Sequence, residues 1–267
     1  MKDTPFDILN VISNTSFLPY YKFILGVCRG LKSVGYMNGD VCHLTFCYNK
    51  LEVKHMLNIR TFPLGPLQTN CYVISNNDKQ CLIIDPGEQG EALAKEIRKL
   101  KLKPLAILLT HAHFDHIGAV DIIRELFKVP VYIHKAEKNW LTDSTKNGSA
   151  RYRELPLIEG KAADVLIEKE GQLEIGPFTC TMFHTPGHSP GSISYWFEED
   201  GFAIVGDTLF KGSIGRTDLP YGNHKELIQS IHNKLLTLPE HTICYPGHGE
   251  PTTPEEEMDR NPFLNGL

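Results

Sequence analysis

No two cysteines in this sequence stand as a C-x-x-C pair, and the seven present are odd in number and scattered. That argues against a zinc ribbon or a disulfide framework and fits free thiols in a reducing compartment. No apolar run approaches the roughly 20 residues needed to span a bilayer. The apolar stretch 17–28 is interrupted by Lys22 and lies too far behind an acidic, polar start to read as a signal peptide. The expected location is therefore cytoplasmic, with no membrane partner. Basic charge is also short: the net charge is −5, without the basic stripe of a nucleic-acid-binding surface. Neither an internal repeat nor a low-complexity tract is evident. What remains is an ordinary globular composition over 267 residues, enough for one large domain or two small ones around a sizeable core.

Residues 1–55 carry no sustained hydrophobic period of 2 or 3.6. They are slightly basic where the remainder is acidic. We read them as an N-terminal extension, disordered or lying upstream of a true start at Met56, with a small N-terminal subdomain as the alternative. The catalytic domain is expected to span 56–267. It opens with a strand–turn–strand pattern, and 71–75 and 81–85 form a hairpin around a polar turn. Residues 91–101 have helical spacing, and 104–110 form a continuous apolar strand of the kind covered on both faces. An amphipathic helix is expected over 115–128, followed by a strand at 129–134. Residues 143–163 read as a long, polar surface connection. Several strands then follow, with a helix at 223–237, and recognisable order ends near residue 251. The alternation gives an α/β class with antiparallel content and helices packed outside stacked sheets.

The chemistry concentrates in "LLTHAHFDHIGAV", residues 108–120. His111 and His113 are two apart, so they would diverge on a helix and must occupy a loop or strand end. Asp115 and His116 open the next helix. A strand-to-helix turn can thus aim two pairs of ligands at one region, His111 with His113 and Asp115 with His116. This spacing suggests two neighbouring metals. Zinc accepts imidazole nitrogen and carboxylate oxygen, and a catalytic site keeps a position for water. His188 in "TPGHSPGS", Asp207 in "IVGDTLF" and His248 in "YPGHGEP" each follow an apolar strand in a glycine-rich turn, where the backbone can approach closely. Four polar side chains desolvated in one turn are costly without a partner such as a metal. His43, His55, His134, His184, His224, His232 and His241 lack this setting and read as surface or hydrogen-bonded residues.

Together, "THAHFDHIGA", "TPGHSPGS", "GDTLF" and "PGHGEP" resemble the metallo-β-lactamase superfamily over residues 56–254. The resemblance implies an αββα sandwich, two mixed sheets covered by helices, with the metals at one edge. It places His111, His113 and His188 on a first metal and Asp115, His116 and His248 on a second, with Asp207 bridging; two zinc ions are expected, with iron or manganese as alternatives. The stretch 207–223 resembles the compact glyoxalase II-like hydrolases, without the C-terminal helical domain that grips glutathione in the longer ones. The implied activity is hydrolysis of a thioester such as a hydroxyacylglutathione, with Asp115 also orienting the nucleophile.

The expected partner is a small anionic molecule, because a two-metal site is net positive. Arg216 and Lys211 are candidates for its carboxylate, with an Arg216–Asp218 salt bridge as the competing reading for the arginine. Asp85, in an Asp-Pro-Gly turn, is expected to accept a hydrogen bond from a ligand histidine, and Asn70 to brace the site. The alternatives are a mononuclear iron persulfide dioxygenase, a lactonase or β-lactamase of the same fold, a nuclease of the RNase Z type, and a non-catalytic binding module. The acidic balance disfavours the nuclease, and the complete set of seven ligand positions disfavours the module.

Overall fold

A computed structural model describes residues 34–38, 41–45, 57–154 and 156–265. The chain divides into two units, Met1–Lys54 and His55–Leu267. In the first, strands β1 (Val34–Asn38) and β2 (Val41–Thr45) pair antiparallel. The reading of residues 1–55 as an extension or a misplaced start otherwise lies outside the described residues.

The second unit is built from two mixed sheets. One has the order β3 (Asn58–Leu64), β4 (Thr69–Ser75), β5 (Gln80–Ile84), β6 (Lys103–Leu108), β7 (Val131–His134), β8 (Val165–Ile167). Its first three strands run antiparallel and the rest parallel. The other has the order β15 (Ile243–Pro246), β12 (Phe202–Gly206), β11 (Ile193–Phe197), β10 (Phe178–His184), β9 (Gly171–Ile175). Only its β12–β15 pair is parallel. A small ribbon of β13 (Leu209–Phe210) and β14 (Ser213–Ile214) follows β12.

Alternation along the strands assigns each face. In β4, Tyr72 and Ile74 point between the sheets, where they meet Met182, Tyr195 and Phe197 of the second sheet. Cys71 and Val73 point the other way, under the helices. There α1 (Gly90–Lys99) supplies Leu93, Ala94 and Ile97, and α3 (Val120–Phe127) supplies Val120 and Ile123. The outer face of the second sheet, with Ala203, Val205 and Cys244, is covered by Leu227, Ile231 and Leu235. These come from α4 (His224–Ser230) and the π-helical turn Ile231–Leu235 that extends it. The layers are therefore helix, sheet, sheet, helix, each sheet burying both faces. Cys71, Cys81, Cys180 and Cys244 are free thiols sealed in these layers.

The structure corrects two expectations and refines a third. The helix expected over 115–128 is two pieces, α2 (Phe114–Ile117) and α3. The Ala119 N–H leaves the helical ladder to donate to Pro86 O at 2.9 Å. Gly118 allows the approach, since a Cβ there would lie 2.3 Å from Gly87 O. The connection 143–163 is irregular and mostly at the surface, as expected, but is anchored by Asn147 and Ser149, which are fully buried. Order does not end near residue 251, because α5 (Pro254–Arg260) follows, capped by the Thr253 hydroxyl and started by proline at its first turn.

Candidate metal centre

The centre lies where strands of both sheets end. β6 runs out into His111 and His113, and α2 starts at once with Asp115 and His116. The β10–β11 turn brings His188, the end of β12 brings Asp207, and the turn after β15 brings His248. The metal-ligating atoms of His111, His113 and His188 all lie within 4.8 Å of one another, as do those of Asp115, His116 and His248. Asp207 stands between the two triads. Its Oδ1 is 3.5 Å from His116 Nε2, and its Oδ2 is 3.5 Å from His188 Nε2 and 3.6 Å from His248 Nε2. All seven side chains singled out in the sequence are thus brought together.

Hydrogen bonds behind the rings decide which nitrogen faces inward. His188 Nδ1 donates to Arg216 O at 2.8 Å and His248 Nδ1 to Leu67 O at 3.1 Å. His116 Nδ1 lies 3.0 Å from Asp85 Oδ2. The Thr110 hydroxyl gives its single proton to Asp85 Oδ2 at 2.6 Å, so its oxygen accepts from His111 Nδ1 at 3.1 Å. Each of these imidazoles therefore turns Nε2 toward the centre, an arrangement that makes the inner nitrogen a better ligand. Asp85 also accepts the Thr110 N–H at 2.8 Å. It holds φ at 50°, a left-handed value uncommon outside glycine, so its fixed position is maintained against local strain.

The donor set fits metal ions. His111 Nε2, His116 Nε2 and Asp207 Oδ1 are buried without a hydrogen-bond partner, a condition that is costly without a cation. His113 Nδ1 and His188 Nε2 face each other at 2.9 Å. Burial, reinforced by His188, lowers the His113 pKa to about 3, and burial with the neighbouring imidazoles holds His111 well below its ordinary value. These two rings are neutral lone-pair donors. His116 behaves oppositely: burial disfavours its charge, yet Asp115 and Asp207 raise its pKa well above the usual histidine value. The same pairing holds Asp115 below the carboxylate range and Asp207 at about 2, against the effect of burial. Asp115 Oδ2 further accepts the Thr69 hydroxyl at 2.8 Å. The two carboxylates demand positive charge between them.

Close backbone approach completes the wall. A Cβ at Gly247 would lie 2.1 Å from Asp207 Oδ1 and 2.8 Å from His116 Cε1, so the turn bearing His248 tolerates no side chain there. Asn70 fastens this turn, donating to Pro246 O at 3.1 Å and Gly249 O at 3.0 Å. Tyr72 Oη adds a bond to Pro246 O at 2.5 Å.

A pocket of about 400 Å³ opens over the donors, with Arg151, Tyr152, Phe210, Arg216 and Leu219 in its walls. Lys211 is not among its lining residues and pairs instead with Glu250 at 3.4 Å and Glu256 at 3.8 Å. Arg216 lines the pocket, but its guanidinium is engaged by Asp218 through two bonds of 2.8 and 2.7 Å; its sequence-invisible contribution is the carbonyl that orients His188. Arg151 was not foreseen. It is exposed, on the 143–163 connection that Asn147 anchors by binding Trp140 O and Ile158 O and accepting the Ser149 N–H. Among the described residues no carboxylate pairs with it. Tyr152 packs on Phe114 at 5.3 Å between ring centroids.

Glu137 is the second residue missed. It is fully buried in the 3-10 turn after β7 and belongs to no motif, so no signal in the sequence marks it. Of the histidines set aside, His134 and His184 stack on each other at 4.1 Å and take no part in the centre.

Comparison with known proteins agrees with this geometry. Residues 64–248 match the family model of the Metallo-beta-lactamase superfamily. The "Probable metallo-hydrolase YqgX" of Bacillus subtilis is 54% identical over 78% of this chain and 98% of its own. The "Hydroxyacylglutathione hydrolase GloC" of Haemophilus influenzae is 39% identical over 78% of this chain and 99% of its own. Among solved structures, the BLEG-1 B3 metallo-beta-lactamase superposes with a TM-score of 0.77 and 54% identity, covering 78% of this chain and all of that one.

Proposed function

The chain belongs to the metallo-beta-lactamase superfamily, and from that premise we propose that it is a binuclear metal-dependent hydrolase of an anionic thioester, such as a hydroxyacylglutathione. The observation that carries this reading is the pair of donor triads with Asp207 between them, in which His111 Nε2, His116 Nε2 and Asp207 Oδ1 are buried without a hydrogen-bond partner. His111, His113 and His188 would hold one ion, and Asp115, His116 and His248 the other. When bound, two divalent ions, zinc in the first instance, supply an acidified water and Lewis acids for a carbonyl.

The protein's own groups divide the remaining work. Asp115, fixed by Thr69, has too low a pKa to store a proton; it accepts a hydrogen bond and so orients the attacking water. A thiolate is a good leaving group, so no strong protein acid is required. Arg151, which has no carboxylate partner among the described residues and lines the pocket, is suited to a substrate carboxylate, since guanidinium binds carboxylate through two parallel bonds. The likeness to GloC supports the thioester. The likeness to a B3 metallo-beta-lactamase makes a β-lactam the second substrate to try.

The test is metal quantification on purified protein beside turnover of S-lactoylglutathione. About two zinc equivalents with thioester hydrolysis is the expected result. One iron with oxygen uptake would replace the reading with the dioxygenase, and β-lactam turnover without thioester turnover would replace the substrate.

A further inference from the structure

The carboxylate of Glu137 has no part in the pocket. Its Oε2 accepts the Ala112 N–H at 2.6 Å, from the residue between His111 and His113. Its Oε1 accepts the Ser189 hydroxyl at 2.5 Å and the Gly191 N–H at 2.7 Å, from the turn that begins at His188. One side chain thus joins the two loops that carry the His111–His113–His188 triad. Among the described residues no cation pairs with it. The loop is fitted closely around it, since a Cβ at Gly191 would lie 2.8 Å from the Glu137 side chain.

The donors dictate the side chain. Ala112 and Gly191 present main-chain N–H groups, which cannot reverse their role. Both oxygens must therefore accept. Glutamine, of the same shape, would set its NH₂ against one N–H or the other and push one loop away. Burial raises the Glu137 pKa to about 7 in spite of its three hydrogen bonds, and a buried carboxyl group without an ion-pair partner is a weak device for stability alone; what it does here is space two loops.

We propose that Glu137 is a positioning residue for one half of the centre: it sets the distance between the loop of His111 and His113 and the turn of His188, and so governs metal affinity at that triad and not at the other. The Asp115–His116–His248 triad is held by other contacts, through Thr69, Asp85 and Leu67, and is the internal control. This rests on the reading that the two triads hold two ions.

The experiment loads the full-length protein and its E137Q and E137D variants with zinc. Affinity is measured by competition with a chromophoric chelator, and occupancy at each triad by anomalous diffraction at the zinc edge. E137Q is expected to lose roughly tenfold to a hundredfold in affinity at the three-histidine triad, with the other still filled. E137D keeps two accepting oxygens and is expected to recover part of the loss. The rise in melting temperature on adding zinc should shrink in E137Q, whatever happens to the metal-free melting point. If E137Q does not fold, Ser189→Ala removes one of the three donors and should weaken the same triad by less. Unchanged affinity, or equal weakening at both triads, overturns the assignment. A native protein that takes up no zinc overturns the underlying reading and the assignment with it.

Discussion

Asp85 and His116 face each other with Oδ2 3.0 Å from Nδ1, both side chains buried. Because Asp85 accepts on both oxygens, Asp85→Asn must turn an NH₂ toward either Thr110 N–H or His116 Nδ1. The second case forces the imidazole proton onto Nε2, the nitrogen that faces the centre. We expect D85N to bind metal roughly tenfold to a hundredfold more weakly, measured by chelator competition. Unaltered affinity would show that this contact does not set the tautomer.

Asp207 touches both triads and little else. Asp207→Ala should bring hydrolysis to background and zinc content down from about two equivalents toward one, with the circular dichroism spectrum preserved. Full turnover with both ions retained would remove Asp207 from the centre.

The two arginines of the pocket should separate kinetically. Arg151→Ala is expected to raise KM for an anionic thioester about tenfold, the value of one charge-assisted hydrogen bond, with kcat little changed. Arg216→Ala should do less to KM, because Asp218 already engages its guanidinium. Steady-state kinetics with a matched neutral thioester, insensitive to Arg151→Ala, completes the comparison.

The triads should differ in their response to pH. His113, at about 3, and His111, also lowered, are neutral at pH 7 and have no proton to expel. His116 is raised well above 6.5 and His248 is also raised, so metal must displace protons there. Affinity at the Asp115–His116–His248 triad should therefore climb with pH, by up to about tenfold per unit for each proton displaced, until pH passes the raised values. Calorimetry in buffers of different ionisation enthalpy counts the protons released. In the metal-free protein the sign for stability is opposite. The raised His116 pKa contributes stability fully present below 6.5 and lost as pH rises through its folded value.

The convergence of the seven donor side chains was legible because they stand in dense, glycine-flanked turns after apolar strands, and Asp85 because its turn signal stood at a strand end. The layers followed from the alternation of Tyr72 and Ile74 against Cys71 and Val73. What stayed hidden depends on partners distant in the chain. Pro86 draws Ala119 out of a helix that local periodicity supports. Asn147 and Ser149 look like loop residues until their buried partners are known. Glu137 resembles any surface glutamate, and whether Arg216 meets a substrate or Asp218 is decided by folding geometry alone.

The donors are strung from residue 111 to residue 248 and reach one place only through strands of both sheets. No fragment lacking β15 contains the whole set. Uptake of an ion at the Asp115–His116–His248 triad would therefore report that the last strand has docked, and an ion bound to the finished fold but not to partial ones would draw the equilibrium toward completion. The proposed centre would then seal assembly as well as carry the reaction.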